Sequence, residues 1–452
     1  MKINTDATKV NELLTRGVEN VYPTREFLEK RLKSGEQLSL YCGYDPTAPS
    51  LHIGHAITMM KLRQFQDLGH RVIMLIGDFT GLIGDPTDKT ATRKQQTREE
   101  VEKNFAGWKK QAASILDFDG DNPVEIKYNS EWHKKLSFED VLNLSSHFTV
   151  QRMLERDMFE KRVAFHFLCP MGHEQDIKEI VDVKTWLHKG NFGSTIKFRQ
   201  DIDWVLCNAC KKKYDLNDLQ YIPPKPIYVH EFMYPLLQGY DSVAMDVDGE
   251  IGGNDQTFNM LAGRDLMKDL KNKEKFVLTT KLLADTGGKK MSKSEGNAIF
   301  LTDTPEEIFG KVMSWTDGMI AIGFELCTWL PMDEIKKIIK ENDNPRDQKV
   351  RLAYEVVKTF TNEKSADSAK ENFINQFSKK EIPEDMPEVK ADNVIDALIG
   401  AKICKSKSEA RQVIDQGGVK INEKKVEAGD YTAEVKSGDI VQKGSRWFAR
   451  IK

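Results

Sequence analysis

The chain has 452 residues, 39% hydrophobic and 30% charged, with a net charge of −3. At roughly 150 residues per domain this length implies about three domains, and the near-neutral balance excludes a surface coated uniformly for nucleic acid. No apolar run approaches the ~20 residues of a membrane span, the polar stretch Met1–Val10 lacks a signal core, and six cysteines in so long a chain do not make a disulfide framework, so a cytoplasmic protein is expected.

In chain order, Gln37–Tyr44 reads as a short buried strand that runs into the turn-rich Asp45–Pro49. Ser50 is the expected N-cap of a helix that ends at Gly69, with Ile53, Ile57, Met60 and Leu68 on one face. Arg71–Ile76 is a second apolar run, followed by the glycine-rich Gly77–Asp85. Strand, helix and strand in this order form a βαβ unit, hence a parallel sheet with a right-handed crossover. Ligands of such sheets sit at the carboxyl ends of the strands, where Asp45, Thr47, His52 and Asp85 fall. A second half of the same domain starts near Pro226, with a helix through Tyr234–Asp241 and the loop Ile251–Gln256. It ends at the lysine-rich loop that contains Lys290 and Lys293. Beyond Thr304 the pattern turns helical and polar as far as a linker at Pro383–Pro387. The last segment carries net charge +3 from Ala391 onward, and its Ser406–Arg411 and Gly417–Asn422 runs precede short strands. It resembles the S4-type RNA-binding module.

Two short runs carry chemistry. Leu51-His52-Ile53-Gly54-His55 sets two imidazoles one turn apart at a helix start, and Lys290-Met291-Ser292-Lys293-Ser294 places ammonium groups on a loop flanked by Gly287, Gly288 and Gly296. Both suit phosphate: a positively polarised helix start in one case, mobile point charges in the other. A zincin would need i, i+4 histidines with an intervening glutamate, which this pair lacks. Gly54 leaves room for a flat base against the backbone. In this order and at this distance, the two runs resemble the signatures of class I aminoacyl-tRNA synthetases.

The surrounding sequence resembles the bacterial-type tyrosyl-tRNA synthetases over nearly the whole chain. The stretches that carry this are Tyr41–Thr47, Gly81–Pro86, Phe232–Asp241 and Gly252–Gln256. The resemblance implies that Tyr41 and Asp241 bond the substrate phenol, and that Asp85, Tyr234 and Gln238 hold its ammonium group. Gln256 and Asp45 would lie near its carboxylate, and Asp255 and Gly253 would meet the ribose. Gly43, Asp45, Gly54, Gly253 and Asp255 would surround ATP together with Lys290, Ser292 and Lys293, while Thr47, His52, His55, Lys290 and Lys293 would act in catalysis. Independently, Tyr234, Gln238 and Asp241 are spaced i, i+4, i+7 and so share one helix face. A tryptophanyl enzyme shares the fold, but Tyr41 and Asp241 suit a phenol better than an indole. A synthetase-like RNA-binding protein without catalysis would have no need of the histidine and lysine signatures. A generic nucleotidyltransferase would not need the tyrosine pocket.

One stretch departs from the bacterial pattern. Residues 164–224 are an insertion holding Cys169-Pro170-Met171-Gly172-His173 and Cys207-Asn208-Ala209-Cys210. C-x₃-H and C-x₂-C match a closed structural zinc site made by Cys169, His173, Cys207 and Cys210, with His166 and His188 as reserve ligands. The expected architecture is α/β: a Rossmann-like catalytic domain over 1–303 with the inserted zinc module, a helical anticodon-binding domain over 304–385, and an S4-like α+β module over 386–452. The expected partners are tyrosine, Mg²⁺-bound ATP, tRNA-Tyr and a second copy of the chain, with no membrane.

Overall fold

The computed structural model describes every residue except 1–2, 86–95, 157–158, 160–161, 163–165, 177–203, 208, 216–217, 223–226, 285–297, 342–343, 379–385, 402, 405 and 445–446. The lysine signature, with Lys290, Ser292 and Lys293, lies outside the described residues, as does the reserve ligand His188. The described chain forms two compact units, Met1–Glu363 and Lys364–Lys452.

The first unit is organised by a six-stranded sheet built from β1 (Val18–Tyr22), β2 (Ser39–Tyr44), β3 (Arg71–Ile76), β4 (Glu125–Tyr128), β10 (Gly249–Gly253) and β11 (Phe276–Thr280). Its order is β1-β11-β10-β2-β3-β4. All neighbours are parallel except β1, which runs antiparallel along β11. Helix α1 (Ile53–Asp67) makes the expected crossover from β2 to β3. Strands β2, β3 and β4 step outward on one side of β10, and β11 steps outward on the other. The strand order therefore reverses between β2 and β10, the switch point at which open α/β sheets open a ligand crevice.

The strands are nearly continuous runs of buried residues, as a parallel sheet covered on both faces requires: Leu40, Tyr41, Val72, Ile73, Met74, Leu75, Val277 and Leu278 are all buried. From α1, Ala56, Met59, Leu62 and Phe65 are buried, and Phe65 stacks on Phe276 of β11 at 5.9 Å between ring centroids. Helices α2 (Val229–Met245) and α3 (Thr257–Lys271) flank β10 in sequence and pack on one another. A helical segment follows, with Thr304 capping Pro305–Met313 through its side chain and Glu307 bonding back. It packs within the first unit partly through Arg16, whose guanidinium is buried and donates to the carbonyls of Phe324, Glu325, Thr328 and Leu330.

The described part of the insertion is a three-stranded antiparallel sheet and a hairpin. The sheet joins β5 (His166–Leu168), β6 (Glu174–Asp176) and β9 (Gln220–Ile222), and the hairpin pairs β7 (Trp204–Leu206) with β8 (Lys213–Asp215).

The second unit holds a five-stranded sheet, β12 (Glu388–Val389), β13 (Val419–Ile421), β14 (Lys424–Lys425), β15 (Ile440–Lys443) and β16 (Trp447–Ile451), in the order β12-β16-β15-β13-β14. Its core draws Val394 and Leu398 from one helix, Ala410 and Ile414 from a second, and Val419, Val441 and Ala449 from the sheet. Asn422 and Glu423, both at positive φ, make the two-residue turn between β13 and β14, as twisted hairpins favour. The helix Glu363–Ser378 continues into this unit.

Candidate active site

The start of α1 is where the sequence reading needs its first correction. The cap is His52, not Ser50, and the helix begins at Ile53. The Ser50 hydroxyl pairs instead with that of Thr302 at 3.2 Å. His52 Nδ1 accepts from the backbone N–H of Gly54 at 3.1 Å, and His55 Nδ1 accepts from the N–H of His52 at 3.1 Å. The two rings stack at 3.8 Å between centroids. Because each Nδ1 is an acceptor, each neutral ring carries its hydrogen on Nε2. Burial holds the His55 pKa well below its ordinary value, with the His52 charge adding to the effect, so His55 is neutral in the neutral pH range. A Cβ at Gly54 would lie 2.9 Å from His52 Cε1. The glycine therefore makes room for the imidazole, whatever it does for a base.

The same helix start is bonded to the segment that follows the lysine loop. The Ile53 N–H donates to the Ile299 carbonyl and the Leu301 N–H to the Leu51 carbonyl, both at 2.8 Å. Residues Ile299 and Leu301 are thereby held beside the histidines.

At the ends of β2 and β3 the structure joins residues that the sequence treated separately. Asp45 accepts from Thr80 Oγ1 on one oxygen and from the Tyr234 hydroxyl on the other, each at 2.7 Å. Asp85 accepts from Arg156 at 2.9 Å and from Gln256 Nε2 at 2.8 Å. The side-chain amide of Asn259, fully buried, donates to the carbonyl oxygens of both Gln238 and Gln256 at 2.9 Å. Gln238 in turn donates to Glu250 at 3.2 Å. Gly43 and Thr47 are exposed, Gly54 and Gly253 half-buried and Asp255 exposed, as open walls of a crevice would be.

Tyr41 and Asp241 are both buried. Asp241 Oδ1 accepts from Trp132 Nε1 and from His133 Nε2, each at 2.7 Å, and Oδ2 accepts from Asn129 at 3.3 Å. The Trp132 ring also packs against the apolar cluster that includes Tyr41, Ile73 and Leu75. The Tyr41 hydroxyl, however, bonds Ser242 at 2.9 Å. Burial, and then the charges of Glu250 and Asp241, raise its pKa well above the ordinary range, so Tyr41 stays protonated. Asn129, Trp132, His133, Arg156, Ser242, Glu250, Asn259 and Lys275 belong to this site and the sequence reading did not find them. Asn129–His133 follow directly on β4, a strand position that would have pointed to them.

In the insertion, one ligand atom from each of Cys169, His173, Cys207 and Cys210 lies within 4.8 Å of all the others. His173 Nδ1 is 3.5 Å from Cys169 Sγ and 3.8 Å from Cys207 Sγ. A tetrahedron with ~2.3 Å Zn–S and ~2.0 Å Zn–N bonds has edges of roughly 3.5–3.8 Å, so the donor set fits. Each pair sits in a tight backbone loop: Gly172 N–H to Cys169 O at 2.7 Å, and Lys211 N–H to Cys207 O at 2.8 Å.

A parallel sheet with a switch-point crevice, capped by a His-x-Gly-His helix start, defines a nucleotide site of the class I synthetase kind. A family profile described as "tRNA synthetases class I (W and Y)" matches residues 33–172 and 208–378, leaving out the centre of the insertion. A second, for the "Tyrosine--tRNA ligase SYY-like C-terminal domain", matches 374–443. The tyrosine–tRNA ligase 2 of Vibrio vulnificus is 40% identical over 446 residues, covering 97% of each chain. The tyrosine–tRNA ligase of Haemophilus influenzae is 39% identical over 455 residues, covering 99% of this chain and 98% of its own. The chain belongs to the tyrosine–tRNA ligase family. The fold agrees: a C-terminally truncated mitochondrial tyrosyl-tRNA synthetase of Aspergillus nidulans superimposes with a TM-score of 0.59 at 23% identity, covering 82% of this chain and 94% of its own.

Proposed function

We propose that tyrosine and ATP are joined to tyrosyl-adenylate in the crevice at the carboxyl ends of β2, β3 and β10, and that the tyrosyl group then passes to the end of tRNA-Tyr. The observation that supports tyrosine as substrate is Asp241, a buried carboxylate fixed by Trp132, His133 and Asn129, close enough to Tyr41 for its charge to act on that phenol. Two donors occupy Oδ1, so Oδ2 is the oxygen that accepts the phenolic hydrogen. At the other end of the substrate, the ammonium group meets Asp85, the Tyr234 hydroxyl and the Gln238 side chain, whose rotamers are held by Gln256, Asp45 and Asn259. Asp45 and Gln256 stand near the carboxylate, which attacks the α-phosphorus of ATP.

This attack concentrates charge on phosphate oxygens as pyrophosphate departs, and preorganised donors lower its barrier. His52 and His55 offer their Nε2 hydrogens to those oxygens. Lys290 and Lys293, with Ser292, hold the departing pyrophosphate, and Thr47 lines the same end. Gly43, Gly54, Gly253 and Asp255 receive the adenosine, with Asp255 on the ribose. Class I synthetases use ATP with Mg²⁺, which shares the neutralisation of the triphosphate.

The segment from 386 onward is proposed to bind tRNA, and the helices of 304–385 to meet its anticodon arm. Support comes from the net positive charge after Ala391 and the self-contained core of the terminal sheet. Deleting residues from Met386 onward is expected to leave tyrosine-dependent pyrophosphate exchange intact and to lower charging of tRNA-Tyr by at least an order of magnitude. Unaltered charging by the truncated chain would remove the RNA-binding role. A homodimer is proposed as well, since Phe138, Leu142 and Val150 are exposed apolar side chains close together in the sequence. Among the described residues no helix is long and apolar enough to cross a membrane, and the proposed place of action is the cytoplasm.

Cys169, His173, Cys207 and Cys210 are proposed to hold one structural zinc ion. The insertion has short strands and a small apolar content, and a metal supplies the stability that such a module lacks. Elemental analysis should find one zinc per chain. Chelation should open residues 164–224 to protease while tyrosine activation persists. A metal-free preparation with an equally resistant insertion contradicts the site.

A further inference from the structure

Lys275 enters β11 from the charged run Lys271–Lys275, yet its side chain is fully buried. Nζ lies 2.5 Å from Glu250 Oε2 and 2.8 Å from Ser242 Oγ. Space for it is left by α3: a Cβ at Gly263 would stand 2.7 Å from Nζ. Ser242 Oγ is in turn 2.9 Å from the Tyr41 hydroxyl. Lys275, Ser242 and Tyr41 are 0% exposed and Glu250 is 1% exposed, so protein groups rather than bulk water fix the direction of each hydrogen bond. Burial lowers the Lys275 pKa and the adjoining Glu250 charge opposes that.

An ammonium group has hydrogens and no lone pair. Ser242 Oγ must therefore accept from Lys275, and its own hydrogen, which has no other acceptor among the described residues, is directed at the Tyr41 oxygen. Tyr41, accepting from Ser242, then has its own hydrogen to donate; the Glu250 carboxylate lies near enough to compete for it, and a bound ligand is the other acceptor. On the assignment of Tyr41 and Asp241 to the phenol, on which this step rests, that hydrogen faces the substrate's phenolic oxygen.

We propose that Lys275 is a positioning residue that orders this hydroxyl chain, so that Tyr41 donates to the substrate phenol while the phenol donates to Asp241. The pocket is thereby polarised: it takes a para substituent that both accepts and donates. It disfavours one that only donates. The Glu250 carboxylate neutralises the ammonium group and also receives the amide of Gln238, which ties the phenol end to the ammonium end of the pocket.

The discriminating substrate is p-aminophenylalanine, whose aniline nitrogen donates readily and accepts poorly. Against a Tyr41 that presents its hydrogen, an N–H meets an O–H. Once Ser242 no longer donates to it, Tyr41 can turn and accept from the aniline. The experiment compares kcat/KM for amino-acid-dependent pyrophosphate exchange with tyrosine and with p-aminophenylalanine. The variants are Ser242→Ala, which leaves the ion pair intact, and Lys275→Met with Glu250→Gln, which leaves no lone buried charge. Both are expected to lower the tyrosine-to-p-aminophenylalanine ratio about tenfold, the size of one hydrogen bond, with the KM for ATP unchanged. An unchanged ratio, or equal losses for both substrates, would show a merely structural role and overturn the proposal. Tyr41→Phe is the control for the reading beneath it. If that variant leaves the tyrosine-to-phenylalanine ratio unaltered, the phenol assignment falls and the proposal with it. If the ratio drops but the Ser242 and Lys275 variants behave as wild type, only the ordering role is lost.

Discussion

Asp241→Ala is expected to cost tyrosine activation at least two orders of magnitude in kcat/KM, almost all of it expressed against tyrosine and little against ATP. A hydrogen bond to a buried charged group contributes about 1.5–3 kcal/mol, and its loss here also leaves the donors on Trp132, His133 and Asn129 without their acceptor. Phenylalanine has no hydroxyl to lose, so its activation should change far less. The tyrosine-to-phenylalanine ratio should therefore collapse from the ~10⁵ established for this enzyme family, a known family value rather than one obtained from this structure. Thermal unfolding of the variant, run beside the kinetics, separates pocket chemistry from damage to the core. A ratio that survives in a folded variant would place the phenol elsewhere.

His52→Asn should act on the other half of the reaction. Asparagine is a good N-cap, so the variant keeps the acceptor for the Gly54 N–H and removes only the distal Nε2 donor. Loss of one preorganised donor to developing charge costs about 10²–10³ in rate. In single-turnover experiments the rate of adenylate formation should fall by that factor while the tyrosine Kd stays put, the pattern of an interaction made in the transition state. A weakened Kd with normal chemistry would assign His52 to ground-state binding. Because His55 is held neutral, substituting it should remove a donor and not a charge.

The sheet was legible in the sequence because its signals are local. Gln37–Tyr44 and Arg71–Ile76 are runs of strand length, and the helix between them carries a regular buried face, so the βαβ unit emerges within a residue or two. Edge strand β1 was not, since Val18–Tyr22 alternates with polar residues and pairs with a partner more than 250 residues away. The cap was misplaced for a related reason. Serine is the usual capping residue, but Ser50 is drawn to Thr302, and a histidine pair does the capping through contacts that no local propensity encodes.

The residues proposed to touch substrate came from motif and resemblance, whereas those that hydrogen-bond to them did not. Asn259 is a lone polar side chain between Phe258 and Met260 with nothing in the sequence to mark its role, and Lys275 sits in a run that reads as solvated surface. Only the fold shows that both side chains are buried. The proposed metal-binding set Cys169, His173, Cys207 and Cys210 came from spacing alone, because two short knuckles need no knowledge of the chain between them. The structure adds their convergence.

Amino-acid-dependent pyrophosphate exchange, run with ATP and each of the twenty amino acids in turn, tests the central claim most directly. Tyrosine should support exchange, phenylalanine should do so only at a rate orders of magnitude lower, and tryptophan should give none. Exchange driven equally well by phenylalanine or tryptophan, or by no amino acid at all in a folded preparation, would contradict a pocket built around Asp241 and Tyr41.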